Sequence, residues 1–128
     1  MKYKVEIVII LVILIIVSSL ELITSNITNN VIDESFNKIE NIKEELKKEN
    51  NDKEKIHNLL SFWNKEKMKM SLYIEHDELE KVGNIFSRLK ENAENEEFEE
   101  GLENIEEAKF LLDHIREKGC TNVQNIFW

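Results

Sequence analysis

The sequence predicts an all-α protein: an N-terminal transmembrane helix followed by an antiparallel helical bundle of three to four helices. Two observations lead to this prediction. The first 25 residues contain a long apolar segment, and beyond it apolar residues recur three and four positions apart, which is the spacing of one helix face. The chain also has no proline and only three glycines, so little interrupts long helices.

The apolar segment runs from Val5 to Ile23. As a helix it would be about 28 Å long, close to the thickness of the hydrocarbon core of a bilayer. Lys2 and Lys4 precede it, and such positive charges favour a cytoplasmic N-terminus. We therefore predict a single-pass protein of the cell membrane, with residues 1–25 as the anchor and the C-terminal domain on the extracytoplasmic side.

A cleaved signal peptide is the alternative for the same segment. The uninterrupted run of Ile, Val and Leu spans only Ile7 to Val17, which is a signal-peptide length, and cleavage after Ser19 is conceivable although the usual alanines are missing. Both interpretations place the predicted bundle, residues 32–128, outside the cytoplasm. We expect the polar residues 26–31 to form a short linker before it.

Four amphipathic stripes follow this linker, each with charged residues between the apolar ones. Their apolar residues are, in chain order, Ile32, Phe36, Ile39, Ile42 and Leu46; Ile56, Leu59, Leu60, Trp63, Met70 and Tyr73 or Ile74; Leu72, Leu79, Val82, Phe86, Leu89 and Ala93; and Phe98, Leu102, Ile105, Ala108, Leu112 and Ile115. Residues 49–52 separate the first stripe from the second, and residues 92–97 separate the third from the fourth. Nothing clearly stops a helix between the second and third stripes, so three or four helices remain open. Gly119 predicts the end of the last helix.

The last two stripes fit an antiparallel hairpin. Each apolar residue of one stripe can be paired with an apolar residue of the other, and the register is constant to within one residue. The pairs are Leu79–Leu112, Val82–Ala108, Phe86–Ile105, Leu89–Leu102 and Ala93–Phe98. The apolar C-terminal tail, Asn122 to Trp128, is expected to dock on the bundle, with contact to a partner or to the membrane as the alternative. The predicted core or interaction residues are Trp63, Leu79, Val82, Phe86, Leu112, Phe127 and Trp128.

Composition excludes several classes of function. The formal net charge is −9, with 26 acidic and 17 basic residues, and an acidic protein repels the phosphates of nucleic acids. Cys120 is the only cysteine, so no internal disulfide forms. The sequence contains no glycine-rich phosphate loop, nucleophile elbow or Cys-x-x-Cys motif, and we predict neither an enzyme nor a bound cofactor.

The histidines come closest to a site. The hairpin register brings His76 level with His114, and Asp77 and Asp113 fall in the same layer. Two imidazoles beside carboxylates are ligands that zinc accepts, and they also titrate near neutral pH. The competing interpretation is that both histidines are half-buried at the edge of the core and bonded to carboxylates. A metal- or pH-responsive sensor that uses His76 and His114 is therefore the alternative function.

Several segments, in this order, resemble a known family. They are Trp63, Tyr73-Ile74-Glu75-His76-Asp77-Glu78-Leu79, Lys109-Phe110-Leu111-Leu112-Asp113-His114-Ile115 and Asn125-Ile126-Phe127. With the N-terminal apolar segment, the chain resembles domain-of-unknown-function family 4363, small membrane-anchored proteins of spore-forming Gram-positive bacteria. The resemblance implies no activity and no catalytic residue. It does imply a membrane complex, since members are often encoded beside another small membrane protein.

Together these observations predict a non-enzymatic, membrane-anchored protein whose helical domain acts as an accessory or interaction subunit. The predicted partners are the membrane and another small membrane protein.

Overall fold

The computed structural model describes the backbone of residues 2–127 and the side chains of residues 2–118. Within this part of the chain every regular element is a helix. The helices are α1 (Lys2–Lys47), α2 (Lys53–Met70), α3 (His76–Glu94) and α4 (Phe98–Phe127). The predicted all-α class is therefore confirmed, with the second and third stripes on separate helices.

The helices form an up-down-up-down four-helix bundle. Helix α1 packs against α2 and α4, and α3 packs against the same two helices, so each helix contacts the neighbours that short turns connect to it. Helix α1 has 46 residues and is about 69 Å long at the usual helical rise. Only its C-terminal half enters the bundle, because its first buried residue is Thr28.

All four helices supply the hydrophobic core. Trp63 of α2 and Phe86 of α3 are its two largest buried side chains, and their rings meet edge to face with centroids 5.7 Å apart. The other buried apolar residues are Val31, Ile32, Ile39, Ile42, Leu46, Ile56, Leu59, Met70, Leu79, Val82, Ile85, Leu89, Ala93, Ile105, Ala108, Leu112 and Ile115. The core therefore contains most of the residues of the four predicted stripes.

The predicted antiparallel hairpin of α3 and α4 is present. The side-chain amide of Asn104 donates to that of Asn92 at 2.6 Å, and the Lys118 ammonium donates to the Glu78 carboxylate at 3.4 Å. These two contacts lie near opposite ends of the hairpin and share one register, so the helices run antiparallel along the described length of their interface.

The structure differs from the prediction at residues 26–31, which belong to α1 and not to a linker. No proline or glycine interrupts this segment. The Thr28 hydroxyl donates to the backbone carbonyl of Thr24 at 2.8 Å, and Val31 is buried in the core. Packing against the other helices therefore stabilises a helical segment whose side chains are mostly polar.

The predicted end of the last helix at Gly119 is wrong, because the backbone of α4 continues to Phe127. A glycine inside a helix costs only about 1 kcal/mol relative to alanine, which neighbouring helical residues can offset. Leu72, expected on the third stripe, instead lies in the turn between α2 and α3 and is exposed.

The turns at the ends of α1 and α3 share one conformation. Each helix is followed by a residue with a positive φ angle, Glu49 at 56° and Glu96 at 57°. This is the left-handed position of a Schellman motif, where glycine is the usual residue. The hydrogen bonds that close the motifs are Asn50 N–H to Glu45 carbonyl (2.9 Å) and Glu97 N–H to Asn92 carbonyl (2.8 Å).

Candidate functional site

The four residues of the proposed histidine layer are all exposed: His76 and Asp77 on α3, and Asp113 and His114 on α4. His76 approaches a carboxylate, since its Nε2 lies 3.4 Å from Glu80 Oε1. Among the residues that the structure describes, no three His, Cys, Asp or Glu side chains are placed to hold a metal ion. The expected half-buried position of His76 and His114 is wrong, because both side chains are exposed. The described geometry does not bring them together as a metal site.

Trp63 is held in the core by a polar contact as well as by packing. Its indole N–H donates to the backbone carbonyl of Leu79 at 3.3 Å, and the side chain is only 1% exposed. The same buried core contains Leu79, Val82 and Phe86 of α3 and Leu112 of α4. Trp63 therefore packs as a core side chain.

Two predicted residues, Phe127 and Trp128, lie outside the described side chains, and so does Cys120. The expected docking of the tail on the bundle therefore stays a prediction.

An ion-pair ladder joins α1 to α4. Its rungs are Asp33–Arg116, Glu40–Lys109 and Lys43–Glu106, the last at 2.9 Å. The hydrogen bond from Lys109 holds the pKa of Glu40 below its usual 4.5, and the one from Lys43 does the same for Glu106. The glutamate sides of these two rungs are half-exposed, so the ladder sets the register of the helices more than it adds stability.

A shallow groove lies between α2 and α3. Its lining is Lys53, Ile56, Lys90, Ala93 and Glu94, and its cavity volume is about 20 Å³. Pockets that bury a small molecule usually measure about 300–1,000 Å³. This groove is therefore too small to indicate a small-molecule site.

The apolar half of α1 differs sharply from the rest of the molecule. Its large side chains from Ile7 to Ile16 are between 48% and 65% exposed, and no other described part of the chain buries them. This segment is long and apolar enough to cross a membrane, a property that a signal sequence near an N-terminus shares. A patch of exposed apolar side chains of this size requires an apolar environment.

The two ends of the bundle lie at different distances from this apolar segment. The turn between α2 and α3, residues 71–75, lies beside the start of the packed part of α1, because the hydroxyl groups of Tyr73 and Thr28 are 2.9 Å apart. The other two turns lie at the far end, where Leu46 of α1 approaches Gly101 of α4. Sequence reasoning left a bend or a break open at Met70 to His76, because the apolar residues there continue the stripes on either side. The structure has a turn at this place.

The described chain is thus an up-down-up-down four-helix bundle whose first helix extends as an apolar segment of membrane-spanning length. Residues 15–126 match a domain of unknown function, DUF4363. The chain belongs to this family, which confirms the resemblance noted from its motifs. The match begins within the apolar segment. No curated protein and no solved structure shows significant similarity to the chain.

Proposed function

We propose that this protein is a non-enzymatic, single-pass membrane protein whose helical bundle acts as an accessory or interaction subunit of a membrane complex. The bundle lies on the extracytoplasmic face, with the N-terminus in the cytoplasm. The partner is another small membrane protein. Lys2 and Lys4 before the apolar segment support this orientation.

The observation that carries the proposal is the continuity of α1 from the apolar segment into the core. Ile32, Ile39 and Ile42 are buried in the bundle, and the same uninterrupted helix contains the largely exposed segment Val5 to Ile23. A flexible linker would let the bundle drift from the membrane. A continuous helix instead holds the bundle at a fixed height and rotation, which suits a subunit that presents one surface to a neighbour in the same membrane.

Retention of the apolar segment is the first condition to test. An intact-mass measurement on native membrane-extracted protein should give the mass of the uncleaved chain, with or without its initiator methionine. Protease added to intact cells, after removal of the cell wall, should digest the bundle and leave an N-terminal fragment protected. A mass that corresponds to cleavage after Ser19, or a bundle protected until the membrane is opened, would contradict the proposal.

Partner binding is tested by crosslinking in native membranes followed by mild solubilisation. A second small membrane protein should be recovered with the full chain. Recovery of the chain alone as a monomer would count against the proposal.

The role of the continuous helix is tested by a matched pair of variants at Ser25 and Asn26, neither of which is in the core. Replacing both with glycine loosens the helix between the anchor and the bundle, whereas replacing both with alanine keeps it rigid. We expect the glycine pair to reduce the crosslinked complex several-fold and the alanine pair to leave it unchanged. Equal crosslinking in both variants would show that rigid coupling is not needed.

A further inference from the structure

The last turn of α2 and the α2–α3 turn carry three exposed apolar side chains. Leu72 is 88% exposed, Met68 is 73% exposed and Tyr73 is 38% exposed. Single exposed apolar residues are ordinary on soluble proteins. These three lie within residues 68–73 at one end of the bundle, and their combined exposure to water is unfavourable.

The position of this patch relative to the apolar segment follows from a direct contact. The Tyr73 hydroxyl lies 2.9 Å from the hydroxyl of Thr28, and Thr28 follows Ile23 by just over one turn of α1. At the helical rise, this separation is about 7 Å along the axis. The turn is therefore at the end of the bundle nearest to the apolar segment.

This height coincides with the polar boundary of a bilayer. The headgroup regions add about 5–8 Å on each side of the hydrocarbon core. If the hydrocarbon boundary lies near Ile23, the α2–α3 turn reaches the headgroups directly. Tyrosine is enriched at this level, because its ring is apolar and its hydroxyl is polar.

We propose that the α2–α3 turn is a second membrane contact, in which Met68, Leu72 and the ring of Tyr73 insert into the boundary between headgroups and acyl chains. The bilayer concerned is the one that α1 crosses, so this inference rests on the proposed function. The bundle is then held by two points, the span and the turn, and its tilt on the membrane surface is set.

The charges around the turn indicate that this contact is apolar. Lys69 lies 3.6 Å from Glu66, and Lys67 lies 2.9 Å from Glu80. Because the basic groups have acidic partners, the turn offers no unpaired basic patch to anionic lipid. Insertion should therefore depend on apolar contact with the bilayer and little on lipid charge.

Spin-label accessibility in vesicles tests this proposal on the full chain. In a Cys120→Ser background, single nitroxide labels are placed at Leu72→Cys, Ile13→Cys and Phe110→Cys. Phe110 is the matched control, because it is 71% exposed and lies far from the membrane. Its neighbour Lys109 pairs with Glu40, which is about 25 Å along α1 from Ile23. Each label is measured with oxygen, which concentrates in lipid, and with a water-soluble nickel chelate. The vesicles are phosphatidylcholine alone or with added phosphatidylglycerol.

We expect the label at position 72 to have an oxygen-to-nickel accessibility ratio several-fold higher than the label at position 110, in both lipid mixtures. The label at position 13 should have the highest ratio. A label at 72 that matches 110, with 13 in lipid, overturns the membrane contact but leaves the span intact. A label at 72 shielded from both reagents indicates that protein and not lipid covers the turn, which also overturns the membrane contact. A water-exposed label at 13 refutes the span and with it the proposed function.

Discussion

Replacing Glu96 with glycine should stabilise the bundle, because Glu96 occupies a backbone conformation that glycine adopts more easily. Its φ angle is 57°, and the turn is closed by the hydrogen bond from the Glu97 amide to the Asn92 carbonyl. The left-handed conformation costs a residue with a Cβ about 1–2 kcal/mol. Glycine avoids this cost but adds about 0.4–1 kcal/mol of unfolded-state entropy. The expected net gain is therefore about 0.5–1 kcal/mol.

Thermal unfolding of the full chain in detergent, followed by far-UV circular dichroism, measures this gain. A change of about 1 kcal/mol moves the midpoint of a domain of this size by about 4–8 °C. Glu96→Gly should therefore raise the midpoint by about 2–8 °C. The intact apolar helix contributes a constant signal, so the transition reports on the bundle.

The control is Glu94→Gly, which removes the same charge two positions earlier. Glu94 is the last residue of α3 and is exposed, so glycine there should lower the midpoint because it weakens the helix. Glu96→Asn should give a smaller rise, since asparagine tolerates the left-handed region better than glutamate. The reasoning is refuted if Glu96→Gly does not raise the midpoint, or if Glu94→Gly raises it equally through loss of charge.

Three further predictions concern the core and the ion pairs, and the same melting assay checks them. Gly83→Ala should stabilise the bundle by about 0.5–1 kcal/mol, because the added Cβ meets Trp63 at an ordinary 3.6 Å. Gly101→Ala should stabilise the bundle less or destabilise it, because its Cβ would lie 3.2 Å from a buried leucine. Trp63→Ala should cost about 3–5 kcal/mol, and a loss below about 1 kcal/mol would show that the indole is not a core residue. The pKa values of Glu40 and Glu106 are lowered from 4.5 by lysine hydrogen bonds, so their stabilisation is present above about pH 4.5 and is lost as pH falls through the folded-state pKa values. The midpoint should therefore fall on acidification, and a double glutamine variant should show a shallower fall.

Much of the fold was accessible from the sequence because its signals are local. Apolar residues three and four positions apart report which side of a helix is buried, whatever that side packs against. The matching register of Leu79–Leu112 and Ala93–Phe98 predicted the α3–α4 hairpin for the same reason. The apolar segment was equally clear, because its composition alone indicates a need for an apolar environment.

The errors arose where a local signal competes with contacts between helices. Residues 26–31 resemble a linker by composition, but Val31 is buried and Thr28 bonds to Tyr73, so the helix continues through them. Leu72 fits a helical stripe by spacing, but the chain reverses before α3 and leaves it exposed. His76 and His114 share a layer in the sequence register, yet both side chains are exposed.

The sequence by itself determined the helical class, the apolar segment and the faces that form the core. Only the tertiary structure decided that α1 is continuous from that segment into the bundle, and that the α2–α3 turn lies beside its start. The physical reason is that periodicity is a property of one helix, whereas the end of a helix and the position of a turn depend on what neighbouring helices bury. Both proposals for this protein depend on this second kind of information: the span joined rigidly to the bundle, and the turn at the membrane surface.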